Sequence, residues 1–262
     1  MWRLWPRFRL LLFRIQCLEF RNWLFLMVHP RFASTVVLVR PEPSGGFEIL
    51  LTRRPAEMRF LGGYYVFPGG TVHADDYNPT MLSRCHGLSG KEAQRILDGR
   101  HEAAEALGHW VAAFREVFEE VGVLLCVTET GETVQLQNSA ENDRIELARQ
   151  RIVAGDLKFE NFLVAENLFC DLDRMKYFDH WVTPEIYSMR FDTRFYIAVL
   201  PSHQTALTRS EEVSHSLWIT ACDALTRIDH RHFPILPPTT TVLHRLAGLS
   251  SWKRLQAEFE LC

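Results

Sequence analysis

The chain has 262 residues, 47% hydrophobic and 23% charged, ordinary values for a globular protein that buries a real core as one large domain with insertions or one domain plus a small lobe. A formal net charge of −3 excludes a general field drawing the molecule to nucleic acid or acidic lipid, so any phosphate recognition must come from a local site. Cys17, Cys85, Cys126, Cys170, Cys222 and Cys262 are scattered, with no C-x-x-C pair, and read as free thiols of a reducing compartment.

Residues 1–27 stand apart, with five arginines and one acid among bulky apolar residues. The arginines interrupt every apolar run before the ~18–20 residues a membrane span needs, and no small-residue cleavage site follows. Three readings are open: a basic interfacial helix, an arginine-rich targeting leader, or an extension ahead of a natural start at Met27. The last is preferred, which leaves membrane contact through residues 1–27 as a minor alternative and residues 28–262 as the folded domain.

In chain order, residues 33–40 are β-branched and apolar and predict a strand. The Pro- and Gly-bearing residues 41–46 predict a turn, and residues 47–53 the second arm of a hairpin. Residues 64–67 predict a short strand running into a Pro68-Gly69-Gly70 loop. Residues 75–109 are polar and mixed, with a helical stretch at 90–97, and read as an insertion. Residues 110–121 predict an amphipathic helix, with Val111, Phe114, Val117, Phe118 and Val121 on one face and Gly122 as its stop. A strand is expected at 123–127, helix over 139–167, strands at 190–200 and 213–220, and closing helices at 239–246 and 252–259. This alternation suggests an α/β or α+β sandwich.

The most informative stretch is Arg115-Glu116-Val117-Phe118-Glu119-Glu120-Val121-Gly122-Val123. Glu116, Glu119 and Glu120 fall at i, i+3 and i+4, so three carboxylates share one helix face and repel one another. Such a face is ordinarily solvated surface. Here the opposite face is strongly apolar, a glycine ends the helix and a Pro-Gly-Gly loop lies upstream. A hard divalent cation such as Mg²⁺ or Mn²⁺ would turn the repulsion into binding, and near a pyrophosphate it could polarise a phosphoryl oxygen and activate water.

The segment resembles the second half of the Nudix box, G-x5-E-x7-R-E-U-x-E-E-x-G-U with U apolar, and every fixed position from Arg115 to Val123 is met. The resemblance implies a Nudix hydrolase with an α/β/α sandwich and mixed sheet, a helical insertion inside the box and additional C-terminal helices. It implies that Glu119 and Glu120 bind metal directly and that Glu116 binds metal or acts as base through water. Gly70 would complete the metal site with its carbonyl, and Arg115 would hold the glutamates by salt bridges. Gly70 and Arg115 are 45 positions apart where the pattern asks 14, so 31 extra residues sit inside the box. Counted back from Arg115, the box's first glutamate falls on Leu107, with Glu105 and Glu102 out of register.

Residues 50–70 resemble the motif L-L-T-x-R-S-x3-R-x3-G-x3-F-P-G-G of Nudix enzymes that hydrolyse coenzyme A, with Pro55 in place of the serine. The resemblance implies substrate binding by Thr52, Arg54, Arg59 and Gly63. Arg54 and Arg59 are in any case fork-shaped donors suited to phosphate, and coenzyme A carries a 3′-phosphate besides its pyrophosphate. Trp181-Val182-Thr183-Pro184 and Arg190-Phe191-Asp192-Thr193-Arg194-Phe195 resemble the peroxisomal coenzyme A diphosphatase branch of the family, which also carries a long insertion in the box. The chain ends Glu-Leu-Cys and not in a Ser-Lys-Leu address, so a cytoplasmic location is expected. Glu211 and Glu212 stand either as a further metal ligand or base or as a solvated turn. His180, His203, His230 and His232 read as structural. The expected substrate is a small nucleoside diphosphate derivative, coenzyme A or acyl-coenzyme A, with no nucleic acid partner. ADP-ribose or a dinucleotide is the alternative substrate, and a non-catalytic nucleotide-binding regulator the alternative class.

Overall fold

The computed structural model describes residues 28–135, 139–229, 233–249 and 251–261. The basic segment 1–27, Cys17, Cys262, His230 and His232 lie outside the described residues. The elements run β1 (Arg31–Pro41), β2 (Phe47–Arg53), β3 (Tyr65–Val66), β4 (Gly69–Thr71), a 3₁₀ turn (Ala74–Tyr77), α1 (Pro79–Leu82), β5 (Cys85–His86), α2 (Gly90–Ile96) and α3 (Ala103–Val121). They continue with β6 (Val127–Thr128), α4 (Ser139–Val153), α5 (Phe159–Ala165), β7 (Leu168–Asp171), β8 (Met175–Val182), β9 (Phe191–Val199), β10 (His215–Ile219), α6 (Ala221–Asp229), α7 (Pro237–Ala247) and α8 (Trp252–Phe259).

The main sheet has the order β10-β2-β1-β9-β8, with β3 added to β2 and β4 to β1. It is mixed, because β1 and β9 run parallel while the other pairs are antiparallel. Both faces are covered. Val36, Leu38 and Leu50 pack toward α3 with Phe114 and Val117. Val37, Val39, Ile49 and Leu51 pack toward α7 and α8 with Leu243 and Leu255. A strand buried on both faces carries a continuous apolar run, which is why Val36–Val39 shows no alternation. The result is the expected α/β/α sandwich with C-terminal helices. Among the described residues Cys85, Cys126, Cys170 and Cys222 are free thiols, and no helix is long and apolar enough to cross a membrane.

Several elements differ from expectation. Gly69 and Gly70 are strand, not loop: they pair with Thr35 and Ser34 of β1, after the Pro68 carbonyl accepts the Val36 N–H at 2.8 Å. Helix α3 begins at Ala103, about two turns before residue 110, because Ala106 and Trp110 continue its buried stripe. Residues 75–109 thus hold the 3₁₀ turn, α1, β5, α2 and the opening of α3. Residues 123–126 are buried but not strand. The Gln204 side-chain amide donates to the Leu124 carbonyl and accepts the Leu124 N–H, both at 2.8 Å, doing what a strand neighbour would. Strand β8 has no period-two signature because its pairing with β9 is shifted between Tyr177 and Asp179, and a bulge moves later side chains to the other face.

Candidate active site

The last turns of α3 lie against β4, and this contact builds the site. Glu116 and Glu120 are buried and Glu119 half-buried. A Cβ on Gly70 would collide with the Glu116 carboxylate, so a side chain at this position would push that carboxylate out of its place. Glu120 accepts the Gly69 N–H at 3.2 Å. Gly122, at φ 68, ends the helix with its N–H on the Phe118 carbonyl.

Arg115 is the hub. Its Nε and Nη2 donate to the two carboxylate oxygens of Asp76 at 2.8 and 3.0 Å. Nη1 donates to Glu116 at 2.7 Å and Glu119 at 3.2 Å, and Nη2 to the Thr71 carbonyl at 2.9 Å. That uses all five N–H donors of a guanidinium. The expected bridge from Arg115 to the glutamates is therefore present, but its bidentate partner is a residue the sequence reading missed. Asp76 stands six positions after Gly70, the spacing the box asks of its first acid, and counting forward from the glycine would have found it. The backward count failed because the extra residues fall between Asp76 and Arg115. Leu107 sits in the opening turns of α3, packed against the core.

Glu211 and Glu212 join Glu116, Glu119, Glu120 and Val153 around a pocket of about 40 Å³. The loop carrying them is tied down from two sides. Ser210 donates to the Glu120 carbonyl at 2.7 Å. Arg149 of α4, buried, donates to the Glu119 carbonyl at 2.7 Å, to Glu211 at 3.2 Å and to Glu146 at 2.7 and 2.8 Å. No sequence signal marked Arg149, one charge among many on a polar helix.

Burial pushes Glu116, Glu119 and Glu120 above the ordinary carboxylate range, Glu119 to about 7. Arg115 opposes this at Glu116 and Glu119, while Glu212 adds to it at Glu116 and Glu120. Clustered carboxylates out of water need a counter-cation, and a donor set of carboxylate oxygens alone matches a hard divalent ion. Among the described residues no three acidic, His or Cys side chains close around one point: Glu116 is turned to Arg115, Glu211 to Arg149 and Glu120 to the Gly69 N–H.

Of the four residues expected to bind substrate, Arg54 reaches the carboxylates. Its Nη1 is 3.8 Å from Glu120, and its buried Nε has no hydrogen-bond partner among the described residues. Thr52 is buried, and its hydroxyl donates to the Val66 carbonyl at 3.2 Å, which fastens β3 to β2. Gly63, at φ +79, turns the chain between those strands, its N–H on the Arg54 carbonyl at 3.0 Å and its carbonyl accepting Arg53 Nε at 3.1 Å. Arg59 is exposed on the same turn, with no contact bringing it to the carboxylates. The motif around Thr183 and Arg190 closes the β8–β9 hairpin: Arg190 Nε donates to the Thr183 carbonyl and the Phe191 N–H to the Thr183 hydroxyl, both at 3.0 Å. His180 is bonded to Asp192 at 2.6 Å.

The model of the NUDT19 Nudix domain family matches residues 30–246. The acyl-coenzyme A diphosphatase NUDT19 of Xenopus laevis is 25% identical over 226 residues, covering 76% of this chain and 60% of the relative. The protein of the same name from Gallus gallus is 26% identical over 263 residues, covering 85% and 69%. The chain therefore spans only part of the length of these relatives. A crystal structure of a NUDIX hydrolase from Alicyclobacillus acidocaldarius superposes with a TM-score of 0.70 at 28% identity, covering 88% of this chain and 97% of that one.

Proposed function

The chain belongs to the NUDT19 Nudix domain family of Nudix hydrolases, and we propose that it cleaves the pyrophosphate of coenzyme A or an acyl-coenzyme A into 3′,5′-ADP and (acyl-)4′-phosphopantetheine. The observation that carries this reading is the pocket of five glutamates with an under-bonded arginine, Arg54, at its edge. Glu116, Glu119, Glu120 and the Gly70 carbonyl are the proposed holders of Mg²⁺ or Mn²⁺. When bound, the ion supplies charge neutralisation at the phosphoryl oxygens and an acidified water. Arg115 keeps Glu116 and Glu119 from swinging apart. Glu212, on the pocket wall, is the proposed acceptor of the attacking water's proton. Arg54 meets the substrate phosphates. Water attacks one phosphorus, the bridging P–O bond breaks, and the leaving phosphate takes the electron pair.

A second reading is cleavage of ADP-ribose or a dinucleotide. It is favoured by Arg59, which stands apart from the carboxylates, and by Pro55, which replaces the motif's serine. Chromatography of the products formed from coenzyme A, ADP-ribose and a dinucleotide with Mg²⁺ or Mn²⁺ separates the two. Chelator-sensitive release of 3′,5′-ADP is expected. Metal-dependent cleavage of the other substrates alone would replace coenzyme A, and binding without turnover would leave a regulatory domain. Glu120→Gln is expected to lower turnover at least ~100-fold with the fold intact; near-normal activity in that variant would remove Glu120 from the metal site.

A further inference from the structure

A second depression, of about 350 Å³, adjoins the carboxylate pocket and shares Glu119 and Val153 with it. Its size lies at the lower end of the ~300–1,000 Å³ typical of small-molecule sites. Met81, Ile152 and Phe159 are buried along it and Leu157 half-buried. An exposed ion pair at 3.2 Å, Lys158 with Asp75, joins the start of α5 to the 3₁₀ turn among its lining residues.

Position and charge indicate what enters it. Residues 115 and 119 lie one turn apart on one stripe of α3, and 116 and 120 on the neighbouring stripe. Arg54 stands beside Glu120, while the depression opens on Arg115 and Glu119. A ligand with its phosphates over the carboxylates therefore sends one end toward Arg54 and the other into the depression. The lysine and arginine lining the depression are already paired, Arg115 with Asp76 and Lys158 with Asp75, and Glu160 accepts from Asn78. His73, the other basic side chain of the lining, is bonded to the Thr71 hydroxyl at 2.8 Å, so what remains is apolar or acidic and offers little to attract a further phosphate.

We infer that this depression is the subsite for the uncharged amide-and-alkyl arm of the substrate, with the anionic nucleotide end on the Arg54 side. The inference rests on the coenzyme A reading above. It is tested by calorimetric titration of the Mg²⁺-loaded protein with each product separately. The variants are Leu157→Glu, which puts a charge among the apolar lining, and Lys158→Trp, which blocks the edge from a position exposed enough to leave folding unchanged. Both are expected to weaken 4′-phosphopantetheine at least about tenfold, or ~1.4 kcal/mol, with 3′,5′-ADP binding held within about twofold. Unchanged 4′-phosphopantetheine binding in Lys158→Trp, or a loss confined to 3′,5′-ADP, would overturn the subsite while leaving the coenzyme A reading standing. Failure of the unaltered protein to bind either product would remove that reading and the subsite with it.

Discussion

At Arg115 a single buried cation serves Asp76, Glu116 and Glu119 at once. Without Asp76 the charge of Arg115 is still met by Glu116 and Glu119, but its Nε–H and one Nη2–H lose their acceptor, and a buried donor left unpaired costs about 1–3 kcal/mol. Asp76→Ala is therefore expected to lower the unfolding free energy obtained from urea titration by an amount in that range, whereas Asp76→Glu, with the side chain the box pattern asks for, keeps most of the stability. Equal losses in the two variants would mean that the site is sensitive to shape and not to the charge at position 76. Arg149 has a similar place on the other flank, where it joins a main-chain carbonyl of α3 to the loop of Glu211. Neither residue is expected to contact the reacting phosphates; each sets where a carboxylate points.

Helix α3 has two jobs at its two ends. Its last turns carry the carboxylates, while its opening turns bury His109 against Phe32 and His101, with ring centroids at 5.4 and 4.7 Å. Among the described residues neither ring nitrogen of His109 completes a hydrogen bond, and its approach to the Ala33 backbone falls short of bonding geometry. Burial, and then the charges of His101, Arg194 and His180, push its pKa from 6.5 down to about 3. The unfolded histidine takes a proton near 6.5 and the folded one only near 3, so between those values the unfolded state holds more protons and stability rises with pH. Acidification below ~6.5 should thus cost up to about 1.4 kcal/mol per pH unit from this residue. His109→Leu is expected to flatten the fall in denaturation free energy between about pH 6 and 4.5 by that amount. An unchanged slope would assign the acid sensitivity to other groups.

The whole molecule brings Asp76, α3, Arg149 of α4 and the loop at Glu211 together, although more than 130 positions separate the first from the last. The assembled pocket concentrates negative charge that the fold alone compensates only in part. A divalent cation that binds the folded state should stabilise it by about 2.7 kcal/mol at a concentration 100 times its dissociation constant. Scanning calorimetry is expected to show the melting temperature rising with Mg²⁺. Glu120→Gln, which removes a buried charge, should melt higher than the unaltered protein without metal and respond little to it. A full metal response in that variant would place the ion elsewhere.

Much of this was legible because it is local. The apolar runs of β1 and β2, the stripe of α3, the stop at Gly122 and the three glutamates on one face follow from side-chain spacing within a single element, where the period of 2 or 3.6 decides which residues face together. Whatever depended on distant partners was not. A bulge hid β8, Gln204 took the place of a strand neighbour at Leu124, and β4 became strand only because β1 offered it an edge. In the site, the helix carboxylates could be read directly, but Asp76 could be recognised only by counting from the glycine side of the extra residues. Arg149 and the arrival of Glu211 and Glu212 were set by packing across elements, since a charged side chain acquires its role from what shares its burial and not from its neighbours in the chain.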